Sequence, residues 1–306
     1  MAWTNTVCSL CPRQCQKART QNAGAGVCQM PLQPVLARAA LHHWEEPPLS
    51  GTRGAGTVFF SGCSLRCVYC QNYAISQDHF GTAVTPARLR EIFGELIAAG
   101  AHNIDLVNPT HFAPAILEAL TEPLPVPVVW NTSGYDTVET LRTLEGYVSI
   151  YLPDFKYPDR EGAARYSAAG DYPQTAQAAI QEMVLQTGPY VLDQDGLLQR
   201  GVMIRHLILP GRVRQAKAVM DWVAQTFPPH TVLLSLMSQY VPLGRAAEFP
   251  EINRSLRPSE HRAATDYFSA LGLEGYTQDP SAAQDVFVPS FHLEGVLSPI
   301  PLTETL

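Results

Sequence analysis

Short apolar segments alternate with amphipathic helical patterns over about 215 residues, and this alternation limits the fold more than any other feature of the chain. Six segments predict strands, at 56–62, 103–108, 126–131, 147–155, 201–211 and 231–237. The helical patterns lie at 85–100, 114–120, 138–144, 172–188, 214–227 and 258–272. Strands that alternate with helices form parallel βαβ units, in an open doubly wound sheet or in a full or partial barrel. In each of these folds the active site lies at the carboxyl ends of the strands.

Three cysteines directly follow the first predicted strand, in the segment SGCSLRCVYCQN at 61–72. Cys63, Cys67 and Cys70 should therefore lie at the carboxyl end of a parallel strand. Thiolates at this spacing suit zinc or an iron–sulfur cluster, but three thiolates are one short of a closed set. Either a fourth ligand comes from elsewhere in the chain, or one coordination position is open.

The other four cysteines precede this triplet, in a segment with little hydrophobic periodicity. Cys8, Cys11, Cys15 and Cys28 can close a tetrahedral zinc site or hold a full [4Fe–4S] cluster, and their spacing admits both. Such a loop-rich segment needs a metal to order it. We therefore predict a Cys-rich metal-binding module at 1–44 and a core domain at 45–306.

The segment LHHWEEP at 41–47 contributes two histidines and two glutamates close to that boundary. A metal site built from His and carboxylate ligands is one interpretation of this pattern. A polar turn that packs beside the triplet loop is the other, and we favour it.

Charge and composition narrow the classes of partner. The chain of 306 residues carries a net charge of −7 at pH 7, which argues against a nucleic-acid partner because phosphate binding needs a basic surface. The sequence starts without a basic-then-apolar signal pattern, and no apolar run approaches the ~18 residues of a membrane span. We expect a cytoplasmic protein with no membrane partner, in which clustered cysteines bind metal before they form disulfides.

The triplet, with an aromatic residue before its last cysteine, resembles the signature of the radical S-adenosylmethionine enzymes. The stretch from 42 to 72 looks like the opening of the enzymes that activate glycyl-radical enzymes. The segments CSLCPRQC, VNPTHF, NTSGYD, YLPDFKY and RHLILPG resemble the pyruvate formate-lyase activating enzyme branch of that group. The resemblance runs from residue 8 to about residue 280 and implies a partial (β/α)6 TIM-like barrel.

This resemblance implies a reaction and its cofactors. Cys63, Cys67 and Cys70 would hold three irons of a [4Fe–4S] cluster, and the fourth iron would bind the amino and carboxylate groups of S-adenosylmethionine. One electron then cleaves the cofactor to methionine and a 5′-deoxyadenosyl radical, which abstracts a hydrogen atom. A low-potential donor of the flavodoxin or ferredoxin type would supply the electron.

The resemblance also assigns roles at the ends of the predicted strands. Tyr69 stands where the family keeps an aromatic residue against the adenine. Asn108 and Thr110 replace a Gly-Gly-Glu-Pro turn that binds the cofactor's amino group, and they still offer oxygen acceptors. Asn131 and Ser133 lie in a segment similar to one that contacts the ribose or a cation.

Charged residues complete the predicted site. Asp154 and Lys156 match a catalytic Asp-x-Lys pair, and their spacing places both on one strand face. Arg205 matches an arginine that approaches the cofactor, and Gln239 a cofactor-binding residue after the last strand. We expect a structural ion pair to use only two of the three charges, and therefore predict that all three serve the cofactor more than stability.

These features predict an enzyme that abstracts hydrogen from a protein or peptide, in the manner of glycyl-radical formation. Radical chemistry on a small molecule is an alternative, and an iron–sulfur electron-transfer protein is an alternative of a different class. Enzymes for small molecules usually close the barrel with extra domains, and the sequence lacks a large C-terminal domain. This favours a macromolecular substrate.

Overall fold

The computed structural model describes residues 7–279 and 290–300, so the outermost ends of the two predicted domains, 1–6 and 301–306, lie outside the described residues. The helices of the described part are α1 Pro47–Ser50, α2 Tyr73–Ser76, α3 Pro86–Ala98, α4 Ala113–Ala119, α5 Val138–Arg142, α6 Arg160–Ser167, α7 Tyr172–Thr187, α8 Val213–Thr226 and α9 Pro258–Ala270. The strands are β1 Val35–His42, β2 Ala55–Phe60, β3 Thr82–Ala83, β4 Ile104–Val107, β5 Val128–Thr132, β6 Ile150–Pro153, β7 Val191–Leu192, β8 Leu198–Leu207, β9 Val232–Met237 and β10 Gly275–Thr277.

One sheet contains all of these strands and determines the architecture. Its order is β10-β9-β8-β6-β5-β4-β2-β1-β3, with β7 paired to β8 outside this path. The pairs from β2 through β4, β5, β6 and β8 to β9 are parallel. These six strands are the six that the sequence predicts, and they neighbour one another in chain order. A doubly wound sheet reverses its strand order at a switch point, so the order supports the barrel-type alternative.

The register of the parallel strands brings their carboxyl ends to one edge of the sheet. Val107 of β4 lies opposite Asn131 of β5, and Thr132 lies opposite Pro153 of β6. An isolated bridge then pairs Asp154, just after β6, with Arg205 of β8. The polar residues that the sequence places at strand ends are therefore close in space.

The start of α3 agrees with the sequence prediction in detail. The Thr85 side chain accepts a hydrogen bond of 3.1 Å from the Arg88 backbone N–H, and Pro86 occupies the first turn. The helix then buries its apolar face, formed by Leu89, Ile92, Phe93 and Leu96. Such faces cover the parallel strands, of which β2 and β9 are buried at every residue.

The sequence prediction lacks the short elements α1, α2, β3, β7 and β10, and it also lacks β1 and α6. Strand β1 pairs antiparallel with β2 and lies within 1–44, so the sheet begins before the predicted domain boundary. Helix α6 was missed because it is short and polar, although the Asp159 side chain caps it by accepting from the Gly162 N–H at 2.7 Å.

Helices long and apolar enough to cross a bilayer are not found in residues 7–279 and 290–300.

Candidate active site

A cavity of about 190 Å³ opens at the carboxyl ends of the parallel strands. The three thiols of the triplet and most of the other predicted site residues line this one cavity. Its lining includes Cys63, Cys67, Cys70, Tyr69, Asn108, Asn131, Ser133, Asp154, Lys156, Arg205 and Gln239. The sequence analysis therefore identified residues that the fold brings together from the ends of six strands.

Each thiol of the triplet has a polar neighbour that holds it in place. The Leu65 N–H lies 3.4 Å from Cys63 Sγ, the Ser167 hydroxyl lies 2.9 Å from Cys67 Sγ, and the Ser76 hydroxyl lies 3.3 Å from Cys70 Sγ. Such neighbours stabilise thiolates, the form that binds metals. Sequence reasoning missed both serines, because neither belongs to a motif.

Burial controls the charge state of these thiols when no metal binds them. Burial raises the pKa of Cys63 and Cys67, and that of Cys70 to about 11. For Cys63 the two other thiolates, which line the same cavity, raise the pKa further. Buried thiolates need a nearby cation, and metal coordination provides one. The donor set therefore fits an iron–sulfur cluster with one position free for a ligand in the cavity.

Asp154 joins the two cationic side chains of the cavity. Its Oδ2 lies 2.5 Å from Lys156 Nζ, and its Oδ1 accepts from Arg205 Nε at 3.0 Å. Burial alone would raise the pKa of Asp154, but Lys156 and Arg205 outweigh burial and hold this pKa below its usual value. The expectation that a structural pair would involve two charges and leave the third unexplained is wrong, because one carboxylate pairs with both cations.

Arg205 also contacts polar groups outside the predicted charge set. Its guanidinium donates to Asn131 Oδ1 at 2.6 Å and lies 3.4 Å from Glu45 Oε2 and 3.9 Å from Glu46 Oε2. The two glutamates come from LHHWEEP, which therefore packs against the base of the cavity. Both glutamates lie within ion-pair distance of Arg205, which agrees with the favoured interpretation of this segment as a polar turn packed beside the site.

Asp105 extends this network into the centre of the sheet. It is fully buried on β4, where its Oδ2 accepts from Thr57 and Asn131 at 3.4 Å each, while Oδ1 has no hydrogen-bond partner. Burial raises the pKa of Asp105 to about 7, although Arg205 and Asn131 act in the opposite direction. Burial and the neighbouring Glu46 likewise raise the pKa of Glu45.

We expect the substitution Asp105→Asn to stabilise the protein above pH 7. The folded pKa of Asp105 lies above its ordinary value, so the native state binds the extra proton between about pH 4 and 7, and the carboxyl lowers stability as the pH rises through that window. The amide keeps the shape without the charge. Denaturant unfolding from pH 4 to 8 should show a flatter pH dependence and a gain of a few kcal/mol at pH 8. The exposed Asp195→Asn is the control, and equal pH profiles for Asp105→Asn and the unmodified protein would contradict the prediction.

Tyr69 and Asn108 lie on the cavity wall beside the triplet. The Tyr69 hydroxyl shares a 2.7 Å hydrogen bond with that of Tyr157, which fixes the ring. Asn108 adopts a positive φ of 58°, which asparagine tolerates, and its amide donates to the Gly62 carbonyl at 2.5 Å. Asn108 Oδ1 lies 3.7 Å from Cys63 Sγ. Both residues are positioned for the ligand contacts predicted for them, and those roles stay predictions.

Of three further predicted residues, Ser133 and Gln239 line the cavity and Thr110 does not. The carbonyl of Ser133 accepts from the Tyr172 hydroxyl at 2.8 Å, and Gln239 Oε1 accepts from the Gln278 amide at 3.0 Å. Thr110 is buried outside the cavity lining, and its hydroxyl donates to the Asp136 carboxylate. The structure does not bring Thr110 to the site, because a 3-10 helix at Thr110–Phe112 directs the chain away after β4.

The four N-terminal thiols also lie close together. Burial, together with smaller contributions from the thiolates of Cys28, Cys8 and Cys15, raises the pKa of Cys11 to about 12. The Val27 N–H donates to Cys15 Sγ at 3.3 Å, and the Arg19 guanidinium lies 3.8 Å from Cys8 Sγ. The module is therefore a convergent thiol set, and metal binding to it stays a prediction.

Comparisons with known proteins fit this geometry. A family model described as a 4Fe-4S single cluster domain matches residues 50–150, which include the triplet. An uncharacterized protein of Methanocaldococcus jannaschii is 28% identical over 278 residues, covering 87% of this chain and 75% of that protein. A mutant of spore photoproduct lyase gives a TM-score of 0.52 at 10% identity, covering 75% of this chain and 78% of the other. SuiB of Streptococcus suis, bound to its precursor peptide, gives a TM-score of 0.48 at 11% identity, covering 71% of this chain and 47% of SuiB.

The likeness to spore photoproduct lyase concerns the fold alone, because the sequence identity is low. Together with the strand order, it confirms the predicted partial barrel of parallel strands. The chain spans about half the length of SuiB.

Proposed function

We propose that the protein binds a [4Fe–4S] cluster at Cys63, Cys67 and Cys70 and S-adenosylmethionine in the adjoining cavity, as a radical S-adenosylmethionine enzyme. The observation that supports this most is that three convergent thiols share one cavity with Asp154, Lys156 and Arg205. The cluster would supply the electron that cleaves the cofactor to methionine and the 5′-deoxyadenosyl radical.

The cavity offers partners to each part of a zwitterionic nucleoside ligand. The Arg205 guanidinium can donate to a carboxylate, and the Asn131 amide can bond to hydroxyl groups. Asp154 stays ionised because its pKa is held low, so it can accept from ribose hydroxyls or face a sulfonium charge. Tyr69 is a buried aromatic ring on the cavity wall, where it can stack on a base.

For the substrate we propose a protein or peptide, in line with the resemblance to the activating enzymes of glycyl-radical enzymes. Hydrogen abstraction from such a chain would make the enzyme an oxidoreductase that consumes electrons from a flavodoxin- or ferredoxin-type donor. Deuterium transfer from labelled peptides, rather than labelled small molecules, into 5′-deoxyadenosine identifies this substrate class.

The proposed activity is tested on the unmodified protein after anaerobic reconstitution with iron and sulfide. We expect the loaded protein to release methionine and 5′-deoxyadenosine from S-adenosylmethionine when dithionite is added. Protein that carries its full iron and binds S-adenosylmethionine, yet forms neither product, would refute the proposal.

Lys156→Met should lower 5′-deoxyadenosine formation at least ~10-fold, the effect of losing one charge-assisted contact of ~1.4 kcal/mol. Burial alone would lower the pKa of Lys156, but Asp154 raises it, so the amine is charged in the cavity. The substitution should affect stability less than it affects product formation, because Asp154 keeps its ion pair with Arg205. The control is Lys217→Met, since Lys217 lies over the Tyr267 ring at 4.5 Å, away from the cavity. Equal product formation by both variants would assign Lys156 a purely structural role.

A further inference from the structure

We propose that the four N-terminal thiols bind a second [4Fe–4S] cluster, which passes electrons to the cluster at the triplet. One electron would enter from a ferredoxin-type donor, reduce the N-terminal cluster, and move on to the triplet cluster, so that each transfer oxidises one group and reduces the next by one electron. This inference rests on the proposed function, because a relay requires a redox group at Cys63, Cys67 and Cys70.

The N-terminal chain folds back on itself in a way that brings its thiols together. The Cys8 N–H donates to the Lys17 carbonyl and the Gln16 N–H donates to the Cys8 carbonyl, both at 3.1 Å. A side-chain carbon at Gly26 would lie 3.3 Å from Cys15 Sγ, so the segment that leads to Cys28 packs directly on Cys15. Four thiols from a stretch of little core are thus collected without a disulfide.

The position of these thiols favours a cluster over zinc. Four thiolates can hold either group, but zinc has no redox chemistry, whereas a [4Fe–4S] cluster carries electrons. The N-terminal set lies against the triplet loop, which falls in the range of the 4Fe-4S family model. A redox group at this position could exchange electrons with a cluster at the triplet.

Each thiol loop extends an arginine into the other. Arg13, between Cys11 and Cys15, donates to the Ser64 carbonyl at 2.8 Å, inside the triplet loop. Arg66, between Cys63 and Cys67, donates in return to the Val27 carbonyl at 3.2 Å. Val27 in turn donates its N–H to Cys15 Sγ. The two loops are therefore held against each other by reciprocal bonds.

The two loops also approach each other closely at Gly62. It has a φ of +79°, and a side-chain carbon there would lie 2.3 Å from Met30 Cγ and 3.0 Å from the Cys28 carbonyl oxygen. Gly62 directly precedes Cys63 in the chain and lies against Cys28. A predicted ligand of the N-terminal set therefore contacts the residue next to a predicted ligand of the triplet. Because electron transfer weakens steeply with distance, this contact suits a relay.

The two thiol sets also differ in access. Cys8 and Cys15 are half-buried within a largely exposed segment, whereas the triplet faces the cavity in which the nucleoside ligand would bind. A protein donor can approach the N-terminal set without entering that cavity. This division separates the entry of electrons from the binding of substrate.

Metal content and reduction kinetics test the proposal. Reconstituted protein should contain about eight irons and no zinc, and a variant with Cys8, Cys11, Cys15 and Cys28 changed to Ala about four irons. Stopped-flow absorbance, without S-adenosylmethionine, then follows reduction of the clusters. In the quadruple variant a reduced ferredoxin should reduce the triplet cluster at least ~10-fold more slowly than in the unmodified protein, and dithionite should reduce it equally fast in both.

A second variant keeps all seven cysteines in case the quadruple variant does not fold. Arg13→Met with Arg66→Met removes the reciprocal bonds, and we expect about eight irons with the same selective loss of reduction by ferredoxin. The matched control changes Arg214 and Arg262 to Met, since both are exposed residues of α8 and α9. About four irons and one zinc in the unmodified protein, or unchanged reduction by ferredoxin in both test variants, would overturn the relay. Both results leave the proposed function intact, which fails instead if the triplet binds no cluster.

Discussion

Arg205→Met is expected to lower the free energy of unfolding by about 3–5 kcal/mol at pH 7, the typical cost of leaving buried charges without a partner. Arg205 lies at the centre of a buried carboxylate group, at 3.0 Å from Asp154, 3.4 Å from Glu45 and 3.9 Å from Glu46. Burial and repulsion already raise the pKa of Glu45 well above its ordinary value. Removing the cation leaves the carboxylates to repel one another in a site with little water.

The pH dependence of this loss follows from the direction of the shifts. Without Arg205 the folded pKa values of Glu45 and Asp105 rise further, so each carboxyl lowers stability more as the pH increases. The loss of unfolding free energy in Arg205→Met should therefore be larger at pH 8 than at pH 5. Denaturant unfolding at both pH values measures this difference. The control Arg245→Met, which breaks an exposed ion pair with Glu248, should have little effect on stability.

Adding Glu45→Gln to Arg205→Met should recover part of the stability, because it removes one of the unpaired charges. An Arg205→Met variant that unfolds at the same denaturant concentration as the unmodified protein would show that the carboxylates do not depend on this arginine. The sequence analysis predicts a cofactor role for Arg205 above a structural one, and the observed contacts give it a structural role as well.

Changing Cys63, Cys67 and Cys70 together to Ala should remove about four irons per chain and abolish 5′-deoxyadenosine formation. The three thiols are the convergent sulfur donors of the cavity, and each is held by a neighbouring N–H or hydroxyl donor. Iron analysis and product assay under anaerobic conditions measure both effects.

The control for the triple variant is the protein in which the four N-terminal cysteines are replaced and the triplet is kept. That control should retain the irons of the triplet and form product with dithionite. An iron content that does not change in the triple variant would show that the triplet is not a cluster site.

Alternation along the chain predicts the fold class, but it does not distinguish a barrel from a doubly wound sheet. Both folds use the same local βα units, and they differ in which distant strands pair. Strand β1 is a second example in which the local sequence pattern does not reveal long-range strand pairing. Its sequence VLARAALH carries little alternation, and only its antiparallel pairing with β2 identifies it as part of the sheet.

Some residues of the site can likewise be recognised from the sequence, and others cannot. The triplet, Asp154 and Lys156 are recognisable because charged or thiol groups interrupt apolar strands at their ends. Asp105 is not, since it lies inside a short apolar strand, opposite Val129 in the register of β4 and β5, and joins the network through its side-chain contact with Asn131. Its network depends on contacts between strands, and sequence spacing does not encode these.

The hydrogen bond between Cys67 and Ser167 joins residues 100 positions apart, and the bond from Arg13 to the Ala168 carbonyl spans 155 positions. Both contacts have a large contact order, and such contacts form late in folding because long loops must close first. The triplet is therefore complete only after α6 has docked against it. We expect cluster insertion to follow folding of the barrel rather than to nucleate it, so that newly synthesised chains would present a finished apo site to the machinery that delivers iron and sulfide.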